Sequence, residues 1–161
     1  MRGFISYSHD DHKECGELRK HLRPLERALG IDFYTDHRNQ TGQHFDANIK
    51  ERIEQACIHV VLVSSNSLWS DFIMDTELPL IRQKQQSDDD LVLYVIVDDC
   101  AWELLAGTLL VSPRGEDLRV RPIKSWRNRN SAYNAARAQI QAAIEGHFGI
   151  KAKPLADGGA L

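Results

Sequence analysis

The run Ile58-His59-Val60-Val61-Leu62-Val63 constrains the fold of this chain more than any other stretch. It is almost continuously apolar and does not alternate, which is the pattern of a strand covered on both faces. Such a strand belongs at the centre of a parallel sheet with helices above and below. A second apolar segment, Phe4-Ile5-Ser6-Tyr7-Ser8, lies almost at Met1 and runs into the polar, acidic turn His9-Asp10-Asp11. It reads as the first strand of the same sheet, its carboxyl end facing a ligand crevice.

The segments between these strands alternate in period. Cys15, Leu18, Leu22, Leu25 and Leu29 recur at helical spacing, with Asp10 or Asp11 as N-cap, and Pro24 predicts that the helix stops near Leu22. Gly30 ends this segment and Ile31 to Thr35 alternates as a second strand. After the polar loop Asp36 to Asp46, with Asp46 as cap, a helix carries Ile49, Ile53 and Ala56 on one face. Ser64 to Ser70 reads as a loop, Asp71 to Gln86 as a helix that Pro79 kinks, and Leu91 to Val97 as a fourth strand. Beyond Asp98 the pattern is weaker: a short helix at Ala101 to Leu105, a loop at Gly107 to Asp117, and a short edge strand at Val120 to Ile123, where proline is tolerated. Ser131 is the expected cap of a last helix bearing Ala135, Ile140, Ile144 and Phe148. The reading is one α/β domain over residues 1–150, flavodoxin-like, with a central five-stranded parallel sheet and helices on both faces. Residues 151–161, with Pro154, Gly158 and Gly159, read as a flexible tail or linker.

Composition narrows the partners. With 161 residues, 42% of them hydrophobic, the chain can bury a core without disulfides or a metal. A net charge of −3 argues against strong nonspecific binding to nucleic acid or an anionic membrane. Arg119, Arg121, Lys124, Arg127 and Arg129 then read as a solvated face. Three scattered cysteines, Cys15, Cys57 and Cys100, suggest neither zinc nor a disulfide pair, so a reducing compartment is expected. The absence of a long apolar run adds the expectation of a cytoplasmic protein that does not bind membranes.

Several chemistries fail on residue type. A phosphoacceptor receiver domain needs an aspartate at the end of the third strand, where Ser64 and Ser65 stand. No glycine-rich run followed by Lys-Ser or Lys-Thr is present, nor a dinucleotide-binding glycine fingerprint. His9, His12, His37 and His44 lie near acids at spacings that match no usual ligand pattern, so no metal is assigned.

Four stretches carry a more specific signal when taken together: Phe4 to Ser8, the Asp36 to Phe45 loop, Ser64-Ser65-Asn66-Ser67 with the helix to Pro79, and Arg121-Pro122-Ile123. In this order, over about Met1 to Phe148, the chain resembles the Toll/interleukin-1 receptor (TIR) domain family, in its bacterial type. The resemblance places Glu77, directly before Leu78-Pro79, at the glutamate used by NAD-hydrolysing members. Those members often carry a tryptophan four residues earlier, where this chain has Ile73, with Phe72 adjacent.

Cleaving NAD+ needs little acid catalysis, because nicotinamide is already a cationic leaving group and one carboxylate can stabilise the oxocarbenium-like ribosyl centre. The resemblance therefore implies a nucleosidase with Glu77 as catalytic residue and NAD+ as substrate, no cofactor being retained. Phe4, Ser8, Phe33, Ser67 and Trp69 would line the nucleotide site, and Asp36 and Arg38 its mouth. The products would be nicotinamide and ADP-ribose or a cyclic ADP-ribose. The implied setting is an assembly-activated effector of bacterial antiviral defence, with TIR to TIR self-association and a sensor domain or subunit as partners. The alternative is a catalytically silent signalling or scaffold module, which Ile73 favours as Glu77 favours the enzyme. Phe4 and Phe33 fit a hydrophobic core equally well, and Glu77 fits an exposed helix position.

Overall fold

A computed structural model describes residues 1–35, 45–106 and 111–155. The central run forms β3 (Ile58–Val63), all six residues of which are buried. It is paired on one side with β1 (Arg2–Ser6) and on the other with β4 (Leu91–Ile96), itself buried throughout. With β2 (Asp32–Thr35) and the two-residue β5 (Val111–Ser112), the sheet is parallel in the order β2-β1-β3-β4-β5, the doubly wound arrangement expected. Strand alternation divides the core into two layers. Ile5, Val60, Leu62, Leu93 and Val95 pack against α1 (His12–Leu29) and α6 (Arg129–Phe148). Phe4, Val61, Val63, Val92 and Ile96 pack against α2 (Phe45–Gln55) and α4 (Leu78–Lys84).

Pro24 does not stop α1, which continues to Leu29 and ends at Gly30 in the left-handed conformation, φ 65°. A mid-helix proline costs about 3 kcal/mol, while each fully buried leucine contributes about 1.5–3 kcal/mol. Leu18, Leu22 and Leu25 are all buried, so packing outweighs the lost hydrogen bond. Glu26, on the same helix, accepts the Phe33 backbone N–H at 3.0 Å and thus covers part of the β2 edge. The cap of α6 is Asn128, whose side chain accepts from Ser131 N, and not Ser131 itself. Asp46 lies inside the first turn of α2, one residue past its start.

The segment after β3 departs most from expectation. Ser64 to Ser70 is not a plain loop, because Ser64 and Ser67 form a reciprocal capping box that starts α3 (Ser65–Trp69). The following helix is widened over Ile73–Glu77 into a π turn, with Leu78 N donating to the Ile73 carbonyl. Pro79 follows at once; lacking an N–H and crowding the preceding turn, it is relieved by this wider geometry.

The fifth strand also falls elsewhere. It is Val111–Ser112, paired with Tyr94 and Val95, within the stretch expected to be loop. Val120 makes a single antiparallel bridge with Arg114, and Ile123–Ser125 is a 3₁₀ turn. Pro122 removes the donor a strand would need, and Ile123, 1% exposed, is drawn into the core. After α6, Ala152 N donates to Glu145 at 2.8 Å and Lys153 N to the Ala28 carbonyl at 3.2 Å, and residues 156–161 of the expected tail lie outside the described residues.

Candidate functional site

The site grows from the end of β1. Phe4 and Ser6 point to the same face of that strand, the face covered by α2 and α4. Glu77, the last residue of the π turn, enters this layer from above, and the Ser6 hydroxyl donates to its carboxylate. The two residues stand 71 apart in sequence and are 2% and 1% exposed. A carboxylate so far from water is tolerable only with donors of this kind. Glu77 is therefore no exposed helix acid.

A second buried network ties the neighbouring loops together. Asp11 caps the start of α1 by position but not by its side chain, which turns inward instead. Its carboxylate, fully buried, accepts from the Ser64 hydroxyl and from the Asn66 amide at 2.8 Å. Burial raises the Asp11 pKa, and the hydrogen bonds from Ser64 and Asn66 oppose that rise. At the end of β4, Asp98 accepts from the Ser65 backbone N–H at 2.9 Å and its hydroxyl at 3.1 Å, and Lys124 stands 4.0 Å away. The carboxyl ends of β1, β3 and β4 are thereby cross-braced.

Of the residues expected to line a nucleotide, the structure brings some to this end of the sheet and removes others. Ser8 is 6% exposed in the turn after β1. Ser67, 2% exposed, commits its hydroxyl to the Ser64 backbone. Trp69, at the end of α3, is 89% exposed, so its ring is available to a ligand or a partner. Phe4 is a core residue beneath Ser6. Phe33 belongs to the opposite layer, the core position also open to it from sequence: it pairs with Gly3, and its ring fills the space a Gly3 side chain would take. The aromatic on the Phe4 face of β2 is Tyr34, stacked at 6.3 Å on Phe4 and covered at 4.2 Å by the Arg52 guanidinium. Asp36 and Arg38 lie outside the described residues.

Ser6, Asp11, Asn66 and Tyr34 are members that sequence reasoning missed. For Ser6 the signal was present, since it shares a strand face with Phe4. A groove of about 930 Å³ between α1 and α6 lies on the other layer and takes in none of these residues. Chemistry is better sought where buried polar groups converge. Among the described residues, no group of three or more His, Cys, Asp or Glu could hold a metal ion, and no helix is long and apolar enough to cross a membrane.

A doubly wound sheet of order β2-β1-β3-β4-β5, with its topological switch point between β1 and β3 and a buried serine–glutamate pair at its carboxyl edge, defines a flavodoxin-like α/β domain. Residues 4–141 match the family model described as the TIR domain, and this chain belongs to that family. Uncharacterized protein y4lF of Sinorhizobium fredii (strain NBRC 101917 / NGR234) is 30% identical over 142 residues, which are 87% of this chain and 43% of that protein. The chain thus spans less than half the length of this curated relative. The fold is also that of the RPS4 and RRS1 TIR domain heterodimer, with TM-score 0.60 at 14% identity, covering 92% of this chain and 99% of that one. The TIR domains of the activated Roq1 resistosome, which directly recognizes the pathogen effector XopQ, align with TM-score 0.51 at 17% identity, covering 98% and 89%.

Proposed function

We propose that this TIR domain is an NAD+ nucleosidase that cleaves the bond between nicotinamide and ribose, with Glu77 as the catalytic residue. The observation that carries the reading is the buried Glu77 carboxylate, hydrogen-bonded by Ser6, at the carboxyl edge of the sheet in a TIR fold. A carboxylate in apolar surroundings exerts a strong field on charge that develops beside it, here the cationic ribosyl centre left as neutral nicotinamide departs. Water, or a group of the ADP-ribose itself, then closes on that centre, giving ADP-ribose or its cyclic form. Ser8, Ser67 and the exposed Trp69 would line the nucleotide with Asp36 and Arg38, while Phe4 supports the floor from the core.

Glu77 is 1% exposed, so the ribose reaches it only when a covering element moves. This supports activation by assembly: TIR to TIR contacts would open or complete the site, and a sensor domain or subunit would trigger them. In that setting the protein acts in the cytoplasm as an effector of bacterial antiviral defence by depleting NAD+. A second reading, a catalytically silent signalling or scaffold module, draws support from the same closed carboxylate and from Trp69, since exposed tryptophans anchor interfaces.

Incubating the purified protein with NAD+ across a concentration series and on beads, and resolving nicotinamide by chromatography, separates the two. The expected result is nicotinamide release that rises with assembly and is lost in Glu77→Ala. Release that is absent at every concentration, or equal in Glu77→Ala, leaves the module reading.

A further inference from the structure

Resting on the nucleosidase reading of Glu77, we propose that Ser6 is the positioning residue for that carboxylate: its buried hydroxyl fixes the Glu77 rotamer and favours the ionised form on which the reaction depends. Ser6 donates to Glu77 across a layer whose apolar members near β1 and β3 are Phe4, Val61 and Val63, with the fully buried His59 as the titratable group on the same face of β3, in register with Phe4. In such surroundings a hydroxyl or a carboxylate alone would lose its bonds to water without replacement, and two apolar side chains of the same shape would serve packing as well. A serine–glutamate pair kept at the ligand-facing end of the sheet therefore points to chemistry.

The pair is held on a rigid support. Ser6 is the last residue of β1, in register with Val61 of β3. Five residues further on, Asp11 binds the Ser64 hydroxyl and the Asn66 amide. The stretch that runs from Ser64 through Trp69 to Glu77 is thus fastened at one end to Asp11, at the start of α1, and at the other to Ser6, the last residue of β1. A hydrogen bond to the charged form of a carboxylate favours that form, and a donor set in advance need not reorganise as the ribosyl cation develops.

The test uses Ser6→Ala, with Ser6→Cys as the variant that keeps the size and a weak donor. In Ser6→Ala, kcat for nicotinamide release is expected to fall about tenfold or more with KM little changed, as for loss of a transition-state interaction. The acid limb of its pH profile is expected to move up by about one pH unit, with Ser6→Cys in between. A readout independent of turnover is the titration of the Glu77 carboxyl carbon by NMR, its resonance assigned by its loss in Glu77→Gln; the midpoint should rise in Ser6→Ala. If Ser6→Ala keeps the wild-type melting temperature and leaves kcat, the acid limb and the NMR midpoint unchanged, the positioning role is overturned. If Ser6→Ala does not fold, the same three readouts on Ser6→Cys decide. If the wild type releases no nicotinamide at any concentration, the nucleosidase reading fails; the NMR midpoint then shows separately whether Ser6 sets the ionisation of Glu77.

Discussion

Replacing His59 by leucine is expected to remove most of the acid sensitivity of the fold between pH 6.5 and 4. His59 sits in the middle of the sheet, in register with Phe4 of β1 and Val92 of β4, and is fully buried. Neither ring nitrogen makes a hydrogen bond; the Ala56 backbone lies near enough to favour the charged ring slightly, but not in hydrogen-bond geometry. Burial lowers the pKa from 6.5 to about 4, with Asp90 opposing, Lys84 adding to the fall and Ala56 opposing. The folded ring therefore stays neutral where the unfolded chain takes up a proton. The stability this neutrality confers is complete above pH 6.5, is lost as pH falls toward 4, and changes no further below that. The two pKa values differ by about 2.5 units, and at about 1.36 kcal/mol per unit the loss is about 3 kcal/mol, a large part of the 5–15 kcal/mol typical of a domain.

Urea unfolding followed by far-UV circular dichroism at pH 7, 6, 5 and 4 measures this for the wild type and His59→Leu. The variant, free of two unpaired nitrogens, is expected to be more stable at pH 7 by about 1–3 kcal/mol. Its advantage should widen by about 3 kcal/mol at pH 4. Parallel curves for the two proteins would refute the reasoning, because the ring nitrogens would then be satisfied in the folded state.

Asp11→Ala leaves the Ser64 hydroxyl and the Asn66 amide without their acceptor and is expected to destabilise by about 1–3 kcal/mol in the same assay. Because burial raises the Asp11 pKa, its ionisation opposes folding: the contribution of the protonated form is present below pH 3.8 and lost as pH rises through the folded pKa. Asp11→Asn, neutral and of equal size, should therefore cost less than Asp11→Ala at pH 7. Gly3→Ala would place a Cβ 2.3 Å from the Phe33 ring and is expected to lower stability by about 1–3 kcal/mol, with partial recovery in Gly3→Ala/Phe33→Leu. A Gly3→Ala protein as stable as the wild type would show that Phe33 has another place to go.

Periodicity made much of this fold legible. The apolar runs of β3 and β4, the alternation of β2 and the helical stripe of α1 are each written within a few residues, so local physics suffices to find them. Even there, Pro24 was misleading, because a local rule was overruled by the burial of Leu22 and Leu25. The short β5 escaped notice since two residues carry no period. The site was legible only in part. Glu77 stood out by resemblance, and Ser64 and Ser67 by their place after β3. Of the two readings left open for Phe33, the structure shows the core position: it pairs with Gly3 and so lies in the layer of Ile5, a register that no pattern within one strand reveals.

Sequence alone determined the class of the protein: alternating strands and helices, a buried central strand, and motifs in the order of the TIR family. Tertiary structure decided which polar groups meet. Ser6 reaches Glu77, and Asp11 reaches Ser64 and Asn66, across 71, 53 and 55 residues of chain. Only the packing of π turn, α3 and sheet brings these groups within bonding distance, and only there does burial turn an ordinary serine and glutamate into a coupled pair.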